Sequence, residues 1–156
     1  MVWRPNVTVA AVVERDGHFL LVEEKTSEGL QLNQPAGHLE PYESITAAVQ
    51  REVLEETAYD FSPEQITGIY RWTKPGGNLT YLRFAFCGRL GQHHAERTLD
   101  AGIVRALWLS RDEVLDSAER HRSPLVVRCI EDYLAGSRYD INALIECSNA
   151  ILDRER

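Results

Sequence analysis

A helix spanning Glu43 to Thr57 would place Ile45, Ala48 and Val49 on one face, because each residue advances about 100°. The same stripe continues as Glu52, Glu55 and Glu56. A surface helix ordinarily sets its charges opposite the apolar stripe. Here the apolar half must dock on a neighbouring layer while the acidic half reaches the edge of the packed surface. Pro41 before the segment, Ser44 as a cap, and Ala47 and Ala48 within it favour the helix.

Three clustered carboxylates repel one another. At about 5 Å and an effective dielectric near 20, each pair costs roughly 3 kcal/mol. Arg51, four residues before Glu55, offsets part of that. The remainder is relieved by protonation, by solvation at the helix end, or by a bound cation. An all-oxygen ligand set favours hard ions such as Mg²⁺, Mn²⁺ or Ca²⁺.

The rest of the chain supplies partners for such a helix. Val7–Glu14 and Phe19–Val22 flank Asp16-Gly17 and read as a hairpin. Glu23–Gly29 reads as a loop, Leu30–Gln34 as a short strand stopped by Pro35, and Pro35-Ala36-Gly37 as a tight bend. Ser62-Pro63-Glu64 reads as a loop. Ile66–Thr73 and Tyr81–Leu90 read as strands joined by a turn at Lys74–Asn78. After a polar loop, Gly91–Gly102, come a strand at Val104–Leu109 and a capping box at Ser110–Glu113. A helix then begins at Ser123-Pro124, with Leu125, Val126, Cys129, Ile130 and Tyr133 at helical spacing. Ile141–Leu152 is a candidate last helix. The order predicts an α/β (α+β) fold, a mixed sheet with helices packed on it, forming one domain over residues 1–156.

Net charge is −7, so the overall field does not attract nucleic acid. No apolar run approaches the roughly 20 residues that span a bilayer. Cys87, Cys129 and Cys147 form no CxxC pair, and the histidines form no HExxH pattern. Cys87 and Cys129 are expected as buried thiols. These features predict a cytoplasmic protein without nucleic-acid or membrane partners, as monomer or homodimer.

The spacing around the acidic helix is specific. Gly37, five residues, Glu43, seven residues, Arg51-Glu52-Val53, one residue, and Glu55-Glu56 resemble the Nudix box, Gx5Ex7REUxEExGU. With each fixed residue used at about 5–7%, a chance match is on the order of 10⁻⁷ per window. Ala58 stands where the box has its final glycine, and Tyr59 fills the last apolar position. That glycine suits a left-handed residue, and alanine there costs about 1 kcal/mol, so a local adjustment is expected. Pro5–Val12, Asn33–Glu40, Leu82-Arg83-Phe84 and Arg122–Val126 are similar to the NudJ-type phosphatases of the Nudix hydrolases.

The resemblance implies an α/β/α sandwich with a mixed central sheet. It also implies Mg²⁺-dependent (or Mn²⁺-dependent) hydrolysis of nucleoside tri- and diphosphates and of hydroxymethylpyrimidine diphosphate. Carried over by position, Glu52, Glu55, Glu56 and the Ala36 carbonyl are expected metal ligands. Glu52 or Glu56 would activate water, Arg51 would orient the acids, Glu43 would partner Arg51, and Gly37 would serve the bend. Asp100 and Glu96 are candidates for a further acid. Trp72, Tyr70 and Tyr81 are candidates to stack on a base, although a place in the strand core suits each of them better. Arg4, Lys25, Arg71 and Arg83 could meet phosphate. Two alternatives stay open: another nucleoside diphosphate-X substrate, such as ADP-ribose or a dinucleotide polyphosphate, and a silent nucleotide-binding sensor.

Overall fold

A computed structural model describes residues 1–147 of the chain. One sheet has the order β5-β1-β7-β6-β9, built from Ala36–His38 (β5), Asn6–Val12 (β1), Thr80–His93 (β7), Tyr59–Thr73 (β6) and Tyr139–Asp140 (β9). The pair β1 and β7 is parallel and the other pairs are antiparallel, so the sheet is mixed. In the second sheet His18–Thr26 (β3) pairs with Glu14–Arg15 (β2), Gly29–Asn33 (β4) and Ile103–Ser110 (β8). The helices are Ile45–Thr57 (α1), Arg111–Asp116 (α2) and Leu125–Leu134 (α3).

Alternation along β1 assigns the layers. Val9 and Ala11 pack with Ala48, Val49 and Val53 of α1. Ala10 and Val12 pack with Val114 of α2 and Leu125, Val126, Cys129 and Ile130 of α3. Because successive strand residues face opposite sides, one helical layer lies on each side of the sheets. This is the α/β/α arrangement expected from the sequence. Cys87 and Cys129 are buried thiols, as expected. No helix among the described residues is long and apolar enough to cross a membrane.

Several elements differ from the sequence reading. The Asp16-Gly17 turn, with both residues at positive φ, joins Glu14–Arg15 to β3 rather than β1 to β3. β1 instead enters the other sheet, where its uninterrupted small and β-branched residues are buried on both faces. β3 runs on to Thr26, through the polar stretch read as loop, because it pairs with β4 as far as Gly29, and its buried Glu23 is clamped by Arg105 and Arg120 at 3.3 and 3.0 Å. Ser62-Pro63-Glu64 is strand, not loop. Register shifts beside Pro63 accommodate its missing N–H, and a Cβ on the facing Gly88 would strike the Ser62 carbonyl. The candidate last helix is a single 3₁₀ turn at Ile141–Ala143 within the described residues; residues 148–152 lie outside them.

Helix α1 starts two residues later than read, since Ser44 is its cap and accepts from the Ala47 amide at 3.1 Å. It ends on Ala58 at φ 62°, whose amide donates to the Leu54 carbonyl. No adjustment avoids the left-handed conformation. Ala58 is buried, and its carbonyl accepts from His94 at 2.8 Å, which ties it in place. Replacing Ser44 by Ala is expected to lower unfolding stability by about 1 kcal/mol, and by Gly only a few tenths. Urea titration of the two variants checks this.

Candidate functional site

Strand β5 is an edge strand, and this decides where its polar groups point. Ala11 N–H donates to the Pro35 carbonyl and Leu39 N–H to the Val7 carbonyl, both at 3.0 Å. In an antiparallel ladder bonded and non-bonded pairs alternate. Ala36 and His38 therefore turn their N–H and C=O groups away from β1, onto the free edge. Helix α1 meets that edge with its acidic end. Ala36 N–H donates to Glu56 Oε1 at 2.7 Å. The His38 carbonyl accepts from Arg51 Nη2 at 3.0 Å. The Ala36 carbonyl points out along the same edge.

Gly37 sits between them in extended backbone. It was expected to serve a bend, but its φ is not positive and it belongs to the strand. A Cβ there would fall on the Glu52 carboxylate, so what glycine provides is close approach of that acid to the strand.

Arg51 organises the acids. Its Nε and Nη2 form a fork on Glu43 at 2.9 and 2.7 Å. Its Nη1 reaches Glu52 at 2.8 Å and Glu55 at 3.1 Å. The hydrogen bond from Arg51 is the main cause holding the Glu43 carboxyl below the usual range. Burial raises the Glu52 carboxyl; Arg51 opposes, while Glu55 and Asp100 add to the rise. Burial and then the Asp100 charge raise Glu55. Glu56 is only 4% exposed. Its burial pushes the carboxyl up to about 9 against the Ala36 N–H, with the charges of Glu52, Glu24 and Asp100 adding to the rise.

No group of three acidic, histidine or cysteine side chains among the described residues converges on one metal position. Glu52 and Glu55 turn their oxygens to Arg51, and Glu56 turns to Ala36. The donor set nevertheless fits a hard cation. It offers only oxygens, they crowd against a strand edge that leaves room for no Cβ, and burial and neighbouring acids outweigh what Arg51 and the Ala36 amide offset.

A cavity of about 230 Å³ opens across β5 from the acids, lined in part by Ala36, Gly37 and His38. Trp72, Tyr81 and Arg83 also line it. Trp72 and Tyr81, paired across β6 and β7, stack with ring centroids 5.8 Å apart. Tyr70 does not line it. Its hydroxyl donates to Asp132 at 2.8 Å, and it packs on the core beneath α3. Arg4, Lys25 and Arg71 are exposed and lie outside its lining.

Besides Arg83, the Lys and Arg side chains that line it are Lys74, at the turn expected between β6 and β7, and Arg122, which the sequence marks only within the stretch similar to the NudJ-type phosphatases. Lys74 is held by Glu28 at 2.9 Å and Arg122 by Glu24 at 2.8 Å. Asp100 joins the site because its amide donates to the Glu55 carbonyl at 2.9 Å. Glu96 is exposed, without a hydrogen bond or ion pair among the described residues.

A family model described as the NUDIX domain matches residues 2–129. The chain belongs to the Nudix family. It is 38% identical over 142 residues to the phosphatase NudJ of Escherichia coli strain K12, covering 91% of this chain and 92% of that protein. A solved NUDIX hydrolase from Nitrosomonas europaea is 54% identical, with TM-score 0.90 over 92% of this chain and 98% of that one. A MutT NUDIX hydrolase from Burkholderia pseudomallei shares the fold at TM-score 0.71 and 17% identity, covering 83% of this chain and 98% of that one. The chain is thus a Nudix hydrolase, an enzyme of phosphoanhydride bonds from a family that acts on small nucleotide-like molecules and generally uses divalent metal.

Linkage gives a test of Glu56. Below pH about 4.5 its carboxyl is protonated whether the chain is folded or unfolded. Between there and about 9 the folded state keeps a proton that the unfolded state has lost. In metal-free buffer this group therefore stabilises the fold at low pH, and that stability is lost as pH rises toward 9. Glu56→Gln, which still accepts from Ala36, is expected to flatten this part of the slope in urea unfolding at pH 5 to 9 with chelator.

Proposed function

We propose that the chain is a magnesium-dependent phosphohydrolase of nucleoside tri- and diphosphates and of related diphosphates such as hydroxymethylpyrimidine diphosphate. The observation that carries this reading is the arrangement about Ala36-Gly37-His38. One side of this edge strand meets the acids Glu52 and Glu56, and the other opens on a cavity with cations and stacked aromatic rings. The similarity to the phosphatase NudJ supports the substrate class. Mn²⁺ would fit the same oxygens.

Glu52, Glu55 and Glu56, with the outward Ala36 carbonyl, are the groups that would hold the ion. A divalent cation held there supplies charge neutralisation on phosphate oxygens and a more acidic water. Arg51 keeps Glu52 and Glu55 aimed, and is itself braced by Glu43. The proton of the attacking water goes to Glu52 or Glu56. Burial raises both carboxyls and so makes each a stronger base than a free carboxylate; Glu56, which burial alone keeps protonated at neutral pH, would first lose that proton as a cation is held beside it. Asp100 adds negative charge beside Glu55 and is the better placed of the two candidate extra acids. Lys74 and Arg122 line the cavity beside Glu28 and Glu24, and an entering phosphate would compete with these glutamates for them.

Residues 1–156 form a single domain in this reading, and it works in the cytoplasm. Its free cysteines suit a reducing compartment.

Glu55→Gln and Glu56→Gln are each expected to lower turnover at least about a hundredfold with the fold retained. Phosphate release from nucleoside di- and triphosphates and hydroxymethylpyrimidine diphosphate, with Mg²⁺ and with chelator, measures it. Near-normal turnover in both variants removes these acids from the chemistry. Hydrolysis of ADP-ribose or dinucleotide polyphosphates alone overturns the substrate class.

A further inference from the structure

Arg83 is a charged side chain only 6% exposed, and no carboxylate pairs with it among the described residues. Its partners are neutral. Nη1 donates to Gln34 Oε1 at 3.0 Å and faces the Cys129 sulfur at 3.9 Å. Nη2 donates to Asn33 Oδ1 at 3.0 Å. Gln34 is fixed in turn, because its amide nitrogen donates to the Val126 carbonyl at 2.8 Å. A guanidinium has five N–H groups in a rigid plane. The two not used by these partners are Nε–H and one Nη2–H, on nitrogens that share one edge of the group. A buried cation normally requires a paired anion or a full set of acceptors. This one is held rigidly by amides and lines the cavity.

The surroundings select what the fork would meet. Arg83 follows Tyr81 by two residues on β7, so both side chains rise from the same face. Tyr81 stacks with Trp72, which puts a pair of near-parallel rings in the same cavity lining as the guanidinium. The edge strand that meets the metal-site acids is β5, and β1 separates it from β7. Two strand spacings, about 10 Å, therefore lie between Arg83 and the acids' strand. That is the order of distance from a nucleotide's base edge to its outer phosphates. Lys74 and Arg122 also line the cavity, but each already faces a glutamate.

We propose that Arg83 is a specificity residue whose Nε–Nη2 fork reads a nucleobase edge carrying two adjacent acceptors, such as O6 and N7 of guanine, on the Trp72–Tyr81 platform. Adenine presents an amino donor at the position of O6 and is disfavoured. This is the geometry in which arginine distinguishes guanine from adenine elsewhere. The assignment rests on reading the site as that of a nucleotide hydrolase, but its test needs no turnover.

The test is binding of GMP and AMP to the full chain in chelator, followed by tryptophan fluorescence or calorimetry. Neither probe carries a diphosphate to cleave, so failure of the hydrolase reading would not alter the result. GMP is expected to bind at least about tenfold more tightly than AMP. Arg83→Lys keeps the buried charge and loses the planar fork. It is expected to bring the two affinities within about twofold, with the urea midpoint reporting that it is folded. If Arg83→Lys does not fold, the wild-type ratio decides alone. Equal affinities in the wild type, or a ratio that survives in folded Arg83→Lys, overturns the proposal. So does ribose 5-phosphate binding as tightly as GMP in an Arg83-dependent manner, since the fork would then read phosphate.

Discussion

The close approach of the Glu52 carboxylate to the backbone of Gly37 is the constraint on which the site depends. It brings the acidic end of α1 against an edge strand rather than into solvent. It fixes the helix so that Glu56 reaches the Ala36 amide, and it leaves Arg51 spanning from Glu43 to Glu52 and Glu55. The apolar half of the helix holds the approach in place through Ala48, Val49 and Val53, all fully buried against β1 and its neighbours. Packing and charge thus oppose each other along one helix. Burial that stabilises the fold at Val53 raises the carboxyl one residue before it at Glu52.

The same strand explains how an acidic protein can handle polyphosphates. The acids lie on the α1 side of β5, while the cavity lies toward α3 and is lined by Arg83, Lys74 and Arg122, the last two each facing a glutamate. In the proposed reading a substrate seated in the cavity extends its phosphates across this strand toward the acids. The short β5 lets the two environments share three residues without either being fully buried in the other.

Much of this was legible in the sequence because it is local. The stripe from Ile45 to Glu56 follows from helical spacing alone, and the cap at Ser44 and the capping box at Ser110 are signals within four residues. What was not legible is non-local. Nothing near Pro63 reveals that register shifts let it lie in a strand, and nothing near Gly37 reveals that a carboxylate 15 positions along the chain excludes a side chain. The resemblance marked Asn33 and Gln34 without a role. Only the fold shows them grasping Arg83, which is 49 and 50 positions away. Nothing local marks Lys74 and Arg122 as lining a cavity, because that cavity is built from distant segments.

The central claim is that α1 and the edge of β5 together hold a divalent cation. Its most direct measurement is Mn²⁺ binding to the nucleotide-free protein by calorimetry, in wild type and in Glu52→Gln. The account predicts saturable binding to the wild type, weakened at least about tenfold in the variant, whose circular dichroism is unchanged. Absence of binding to the wild type, or equal affinity in Glu52→Gln, would contradict it.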